Sequence, residues 1–101
     1  MQSPRIILSA RAEADLADIE NYIVAEEGLM RAALVRTRIV ATLRNLAHTP
    51  GIGRKRPELR GKNALFFPSS PWLVVYRPLR DLTGIRVIRI VHGRRDLRRV
   101  L

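Results

Sequence analysis

The stretch "SARAEADLADIENYIVAEEG" (residues 9–28) decides the first large element of the chain. Four apolar residues in it recur at spacings of four, three and four, which places them on one face of a helix. They are Ala12, Leu16, Ile19 and Ile23. Ser9 stands where an N-cap belongs, and Gly28 is a typical helix stop. The stretch therefore predicts an amphipathic helix that needs an apolar surface to cover.

A second helical pattern begins directly after Gly28 and ends before Pro50. Its apolar stripe is spaced three, four, four and three, while Arg31 and Arg38 fall away from it. The stripe consists of Ala32, Val35, Ile39, Leu43 and Leu46. Two helices joined by so few residues are expected to lie antiparallel, as a helical hairpin.

The remaining segments are short and rich in β-branched and aromatic residues, which is typical of strands. They are "RIIL" (5–8), "NALFFP" (63–68), "WLVVYR" (72–77) and "IRVIRIVH" (85–92). Turn formers at 68–71 and 81–84 separate the last three by hairpin-length gaps. We therefore predict one α+β domain over residues 1–101, of order βααβββ. An antiparallel β-sheet would carry the helical hairpin on one face, with the first strand at an edge or between others.

The third strand segment is apolar on both of its faces. Trp72, Val74 and Tyr76 alternate with Leu73 and Val75, so neither face is polar. The helices of so small a protein can cover only one face of the sheet. The other face is expected to be either a satellite core or an apolar groove for a partner.

Charge is distributed unevenly along the 101 residues, whose net charge is +10. Residues 1–27 contain two arginines and six acidic residues and sum to −4, so residues 28–101 sum to +14. Such a field favours phosphates or an acidic protein as partner. The chain has no cysteine, and its first ten residues hold too short an apolar run for a signal peptide or a membrane span. We expect a soluble cytoplasmic protein with no membrane partner.

Two basic segments are the candidates for binding. The first is "GIGRKRPELRGK" (51–62), in which Arg54 and Arg56 could hold oxyanions with their guanidinium forks. It lacks the spacing of a P-loop. No metal-ligand or dinucleotide motif occurs elsewhere, so we expect no cofactor and no metal.

The second basic segment is the terminal "HGRRDLRRVL" (92–101). His92 has an ordinary pKa suited to proton transfer, and arginines can stabilise a phosphorane-like transition state, so a ribonuclease site is one interpretation. Those arginines are Arg94, Arg95, Arg98 and Arg99. The other interpretation is a strand-end histidine bonded to the backbone. Asp96 is expected to pair with neighbouring arginines or to cap a terminal turn.

Four segments in this order resemble the RelE/ParE family of type II toxin–antitoxin systems, and the ParE branch in particular. They are "AEADLADIENYI" (12–23), "PGIGRKRPEL" (50–59), "LVVYR" (73–77) and "IRIVHGRRDL" (88–97). The resemblance implies a small bacterial toxin, associated with plasmid stabilisation and neutralised by a cognate antitoxin. In the ParE branch the usual target is DNA gyrase, whereas RelE-branch toxins cut mRNA on the ribosome.

The residues of the nuclease branch are mostly absent. Where RelE-like nucleases have two lysines, this chain has Ala64 and Phe66, and where they have an arginine it has Leu73. Their terminal tyrosine falls at Leu101, and only one arginine is matched, by Arg95. Groups of this kind each contribute about 10²–10⁴ in rate. A non-enzymatic inhibitor is therefore favoured, and a ribosome-dependent endoribonuclease using His92 and Arg95 is the alternative.

The basic segments and the two-sided apolar strands predict which residues meet each partner. The residues assigned to the target are His92, Arg94, Arg95 and Arg98, with Arg54 and Arg56 as a second contact. The residues assigned to the antitoxin are Trp72, Val74, Tyr76, Arg77 and Arg89. We expect a heterodimer or heterotetramer with the antitoxin, which could bring the complex to DNA indirectly. A degenerate member that binds its antitoxin but poisons nothing is the remaining alternative.

Overall fold

The computed structural model describes residues 3–59, 61, 63–81, 83–95 and 97–99. Its strands and long helices are β1 (Arg5–Leu8), α1 (Ala10–Glu27), α2 (Leu29–His48), β2 (Leu65–Ser69), β3 (Trp72–Pro78) and β4 (Gly84–His92). Short 3-10 turns lie at Pro50–Ile52, Pro57–Leu59 and Leu97–Arg99. The predicted βααβββ order is confirmed.

The helical hairpin is closed at both ends of α1 by the residues that the sequence indicated. The Ser9 hydroxyl accepts the backbone N–H of Ala12 at 3.0 Å. Gly28 has a positive φ of 91° and is the single residue between the helices. An ion pair joins Glu20 to Arg36, each eight residues from Gly28, so the helices run antiparallel as expected. Neither described helix is long and apolar enough to cross a bilayer.

The sheet has the order β1-β4-β3-β2. The last three strands form the predicted antiparallel meander, but β1 runs parallel to β4 at the edge, so the sheet is mixed and not wholly antiparallel. Parallel neighbours need a long connection, which the helical hairpin and the meander provide. Gly84 lets β1 approach, because a Cβ there would lie 1.9 Å from the Arg5 carbonyl oxygen.

The two faces of the sheet are covered differently. Both helices pack on one face, over a core that includes Val74, Tyr76 and Val87. The opposite face carries a smaller cluster, under the 57–59 and 97–99 turns. Its buried members are Leu59, Ala64, Leu73, Val75, Val91 and Leu97. The second face was expected to be either a satellite core or an apolar groove for a partner, and the part under these turns is a satellite core.

Candidate partner-binding surface

The turn after β4 is tied together by the backbone and the imidazole of His92. The His92 Nδ1 accepts the backbone N–H of Arg94 at 3.1 Å, and the His92 carbonyl accepts that of Arg95 at 2.9 Å. The imidazole also meets the Trp72 indole edge-on, with ring centroids 5.6 Å apart. A nitrogen that accepts a backbone N–H is not free to act as a base. The predicted role of His92 in placing the strand end therefore fits this geometry better than proton transfer.

The side chains of the terminal turn point outward around one buried anchor. Arg94 and Arg95 are exposed, as are Arg98 and Arg99 in the 97–99 turn. Leu97 is 1% exposed and holds that turn against the satellite core. Asp96 and Leu101 lie outside the described residues, and so do the predictions made for them.

The first basic segment, residues 51–62, which we call the basic loop, is fixed at its beginning by Tyr76. The Tyr76 hydroxyl donates to the Pro50 carbonyl at 2.7 Å and accepts the Gly53 N–H at 2.8 Å. A Cβ at position 53 would lie 2.3 Å from that hydroxyl oxygen, so only glycine allows the contact. Burial raises the pKa of Tyr76, and the Gly53 N–H opposes this in part. The hydroxyl thus stays protonated and keeps the loop in place.

Beyond Gly53 the loop lies along the outer edge of β2. The backbone of Arg54 pairs with Phe66 through two hydrogen bonds of 2.8 Å, while its side chain is exposed. The Arg56 guanidinium lies 4.6 Å from the centroid of the Phe66 ring and 3.7 Å from the Glu58 carboxylate. Arg60 and Lys62 are outside the described residues.

The structure brings the two basic segments to the same side of the sheet. Leu59 ends the 57–59 turn within the first basic segment, and Leu97 begins the 97–99 turn in the second. Both leucines are buried in the satellite core. The face opposite the helices therefore carries cations from both segments. This juxtaposition joins residues that lie far apart in the sequence.

Comparison with known proteins assigns the chain to a family. The family described as "ParE toxin of type II toxin-antitoxin system, parDE" matches residues 6–97. The chain belongs to the ParE toxin family. It is 36% identical to Toxin ParE1 of Caulobacter vibrioides over 87 residues, which cover 84% of each chain. Its fold is similar to that of a solved structure described as the chromosomal ParDE TA system from P. aeruginosa. That match has a TM-score of 0.72 and 21% identity, and covers 89% of this chain and 96% of the other.

Three residues assigned to the antitoxin are buried, and the assignment needs correction. Val74 and Tyr76 are 0% exposed in the helix-side core. Arg89 is 5% exposed, and its guanidinium makes hydrogen bonds of 2.8 and 2.9 Å to the two carboxylate oxygens of Asp15. Asp15 also accepts the Ile90 N–H at 2.9 Å. The hydrogen bond between the Asp15 carboxylate and the Arg89 guanidinium raises the pKa of Arg89. These side chains hold the fold together and offer a partner no surface.

Asp15 is absent from the predicted site residues, although one signal for it was available. Arg89 lies within an apolar strand, and a buried arginine needs a carboxylate partner. Two residues of the assigned antitoxin set keep accessible surface: Trp72 is half-buried and Arg77 is exposed.

The positions where nuclease members of the wider family carry cations are filled with apolar groups. Ala64 and Leu73 are 6% and 8% exposed within the satellite core, and Phe66 packs against the same cluster beneath Arg56. Within the described residues, no three His, Asp or Glu side chains converge as a metal site would require.

Proposed function

We propose that this ParE-family chain inhibits growth by binding and poisoning DNA gyrase in the cytoplasm, without a catalytic step. A cognate antitoxin would neutralise it, in a heterodimer or heterotetramer. The gyrase target is the one that the resemblance to the ParE branch implies. Any contact of this complex with DNA would be made through the antitoxin.

One observation carries the non-enzymatic part of the proposal: Ala64, Phe66 and Leu73 form part of an apolar cluster. RNA cleavage through a 2′-hydroxyl needs one group to remove a proton and another to deliver one. The cluster has neither, and the His92 Nδ1 is engaged by the backbone. Arg95 could still stabilise negative charge, but charge stabilisation alone makes a slow nuclease.

The target-binding surface that we propose centres on the terminal turn. Arg94 and Arg95 are exposed on a turn whose backbone His92 holds in a fixed shape, so little loop ordering is needed for binding. Arg98 extends this surface. Arg54 and Arg56 form the second contact on the same side of the sheet. The positive field would also accelerate encounter with an acidic surface.

The test of target binding measures two activities of the same purified protein. We expect inhibition of gyrase supercoiling and no mRNA cleavage in a translation reaction analysed by primer extension. The double variant Arg94→Glu/Arg95→Glu should weaken gyrase inhibition by more than about tenfold, since charge-assisted contacts are lost. The control Arg38→Glu/Arg44→Glu makes the same charge change on exposed α2 positions and should leave inhibition within about twofold. Cleavage at A-site codons with gyrase unaffected would replace the proposal with the endoribonuclease alternative.

The test of neutralisation uses growth. Expression of the chain alone should stop growth, and co-expression of the short neighbouring gene, if it encodes an antitoxin, should restore it. Substitution of Arg77, the exposed member of the antitoxin set, should weaken this rescue while leaving toxicity intact. Tight antitoxin binding without any toxicity would favour a degenerate member of the family.

A further inference from the structure

Three arginines share one face of the sheet, at the end remote from the terminal turn. Arg77 lies directly opposite Arg86 across β3 and β4, and Arg5 lies diagonally beyond on β1. Side chains alternate along strands, and the neighbours of these arginines face the helices: Ile6, Tyr76, Ile85 and Val87. Arg5, Arg77 and Arg86 therefore project from the opposite face, and all three are exposed. We call them the arginine row.

The row is electrostatically unfavourable in the isolated chain. Like charges directly opposite each other on neighbouring strands are destabilising. Neither Arg77 nor Arg86 takes part in any of the ion pairs found among the described residues. Asp81 is the carboxylate near Arg5, and hydrogen bonds from Thr83 lower the pKa of Asp81. An anionic partner would relieve the repulsion at Arg77 and Arg86.

A cavity of about 570 Å³ adjoins the arginine row. Pro78, which follows Arg77 directly, lines one side, and Leu59 and Leu65 contribute to its apolar lining. Lys55 and Arg56 line it as well, adding positive charge. The cavity is within the size range of pockets that receive a bound group. Row and cavity together form a cationic surface beside an apolar socket.

This combination fits an acidic peptide better than a nucleic acid. Carboxylates on alternate residues of an extended peptide lie on one side of it, about 6.7 Å apart, and long arginine side chains that start about 4.8 Å apart on adjacent strands can spread to reach them. Each guanidinium can bind a carboxylate in bidentate fashion. A phosphodiester backbone has no apolar group for the socket, and no aromatic side chain among the described lining residues would stack on a base.

We propose that the arginine row binds an extended acidic segment of a partner protein, with one apolar side chain of that segment seated in the adjoining cavity. The inference rests on the proposed function only for the identity of the partner, the antitoxin. It assigns Arg86 and Arg5 to that interface together with Arg77. The row lies at the start of β4 and the terminal turn at its end, so the row and the terminal turn can be occupied separately, while Arg56 borders both the cavity and the second target contact.

The probe is a short labelled peptide in which glutamate alternates with serine and one terminal glutamate is replaced by leucine, so that the leucine and the carboxylates lie on the same side. Its binding to the purified chain is measured by fluorescence anisotropy. Arg77→Gln/Arg86→Gln should weaken binding by at least about tenfold, because two charge-assisted pairs are lost. The control Arg38→Gln/Arg44→Gln removes the same charge from α2 and should change binding by less than about twofold. Replacing the peptide leucine by alanine should weaken binding several-fold.

Two further measurements separate binding from folding and from the proposed function. At low salt Arg77→Gln/Arg86→Gln should unfold at the same or a higher temperature than the wild type, because like-charge repulsion is removed. It should also inhibit gyrase normally. If the wild type binds the peptide but does not inhibit gyrase, the proposed function is overturned and this inference stands.

The inference itself would be overturned by any of three results. The first is no binding of the peptide by the wild type. The second is equal weakening in the row variant and the α2 control, which would indicate a diffuse positive field. The third is tighter binding of a single-stranded DNA oligonucleotide of equal charge through the same arginines, which would identify a nucleic-acid surface.

Discussion

The two faces of the sheet differ in what covers them. Long helices cover one face, and polar contacts reinforce that side: the Asp15 carboxylate pairs with Arg89 and the Tyr76 hydroxyl holds the 50–53 segment. Short turns cover the other, and those turns carry or adjoin the basic residues. Changes on the helix side should therefore act mainly on stability. Changes to the turns on the opposite face should also displace the proposed binding residues.

The strongest way to break the helix side is Asp15→Ala. It removes the carboxylate that pairs with buried Arg89 and leaves the Ile90 N–H without its acceptor. Breaking a buried pair from one side costs roughly 3–5 kcal/mol, a large part of the roughly 5–15 kcal/mol of a typical domain. We expect urea unfolding to show this loss. Asp18→Ala, at an exposed position on the same helix, should stay within about 0.5 kcal/mol.

A small effect of Asp15→Ala, below about 1 kcal/mol, would remove the contrast between the two faces. Asp15→Asn adds detail, since the amide can still accept from Ile90 but carries no charge. The free energy of unfolding of Asp15→Asn should lie between those of the wild type and Asp15→Ala.

The sequence predicted those parts of the fold that depend on local patterns. Helix faces follow from a period of 3.6 residues, so the stripes and the caps at Ser9 and Gly28 are found as expected. The parallel pairing of β1 with β4 joins distant segments, and no periodicity specifies it. Residues 73–76 are apolar on both faces, so the pattern could not assign Val74 and Tyr76 to the helix side.

The candidate site was predictable to a similar extent. The exposed arginines after β4 follow from a polar segment beyond a strand, which is local information. The Asp15–Arg89 pair spans 74 positions, and the arginine row needs the strand register. A register irregularity between Val75 and Tyr76 further shifts the pairing along β3 and β4. Contacts of this kind need a three-dimensional arrangement.

The opposite face is tested by Leu97→Ala. Leu97 is 1% exposed and holds the terminal turn on the satellite core, so its truncation should cost about 2 kcal/mol, at the low end for buried leucines because the cluster is small. The proposed gyrase inhibition should fall with it, even under conditions where the variant is fully folded, since the 97–99 turn that carries Arg98 is no longer held on the core. Leu34→Ala on the exposed side of α2 is the control, with little effect on either measurement. Normal inhibition by folded Leu97→Ala would mean that the turn is positioned by other contacts.

The smallest expected effect comes from Tyr76→Phe. The Tyr76 side chain connects the helix-side core with the start of the basic loop. The ring stays in the helix-side core, but the Gly53 N–H and the Pro50 carbonyl lose their partner. The expected cost is about 1 kcal/mol, because Pro50 and Gly53 are only half-buried. Burial raises the pKa of Tyr76 above its usual 10.0, so the folded state holds the proton more tightly than the unfolded state does. The associated stability is full below the unfolded pKa and is lost as pH rises through the folded one. Unfolding curves from neutral pH to above pH 10 should therefore converge for the wild type and Tyr76→Phe, because their other titrating groups are shared. A constant difference in stability across this range would show that the pKa of Tyr76 is not raised in the folded state.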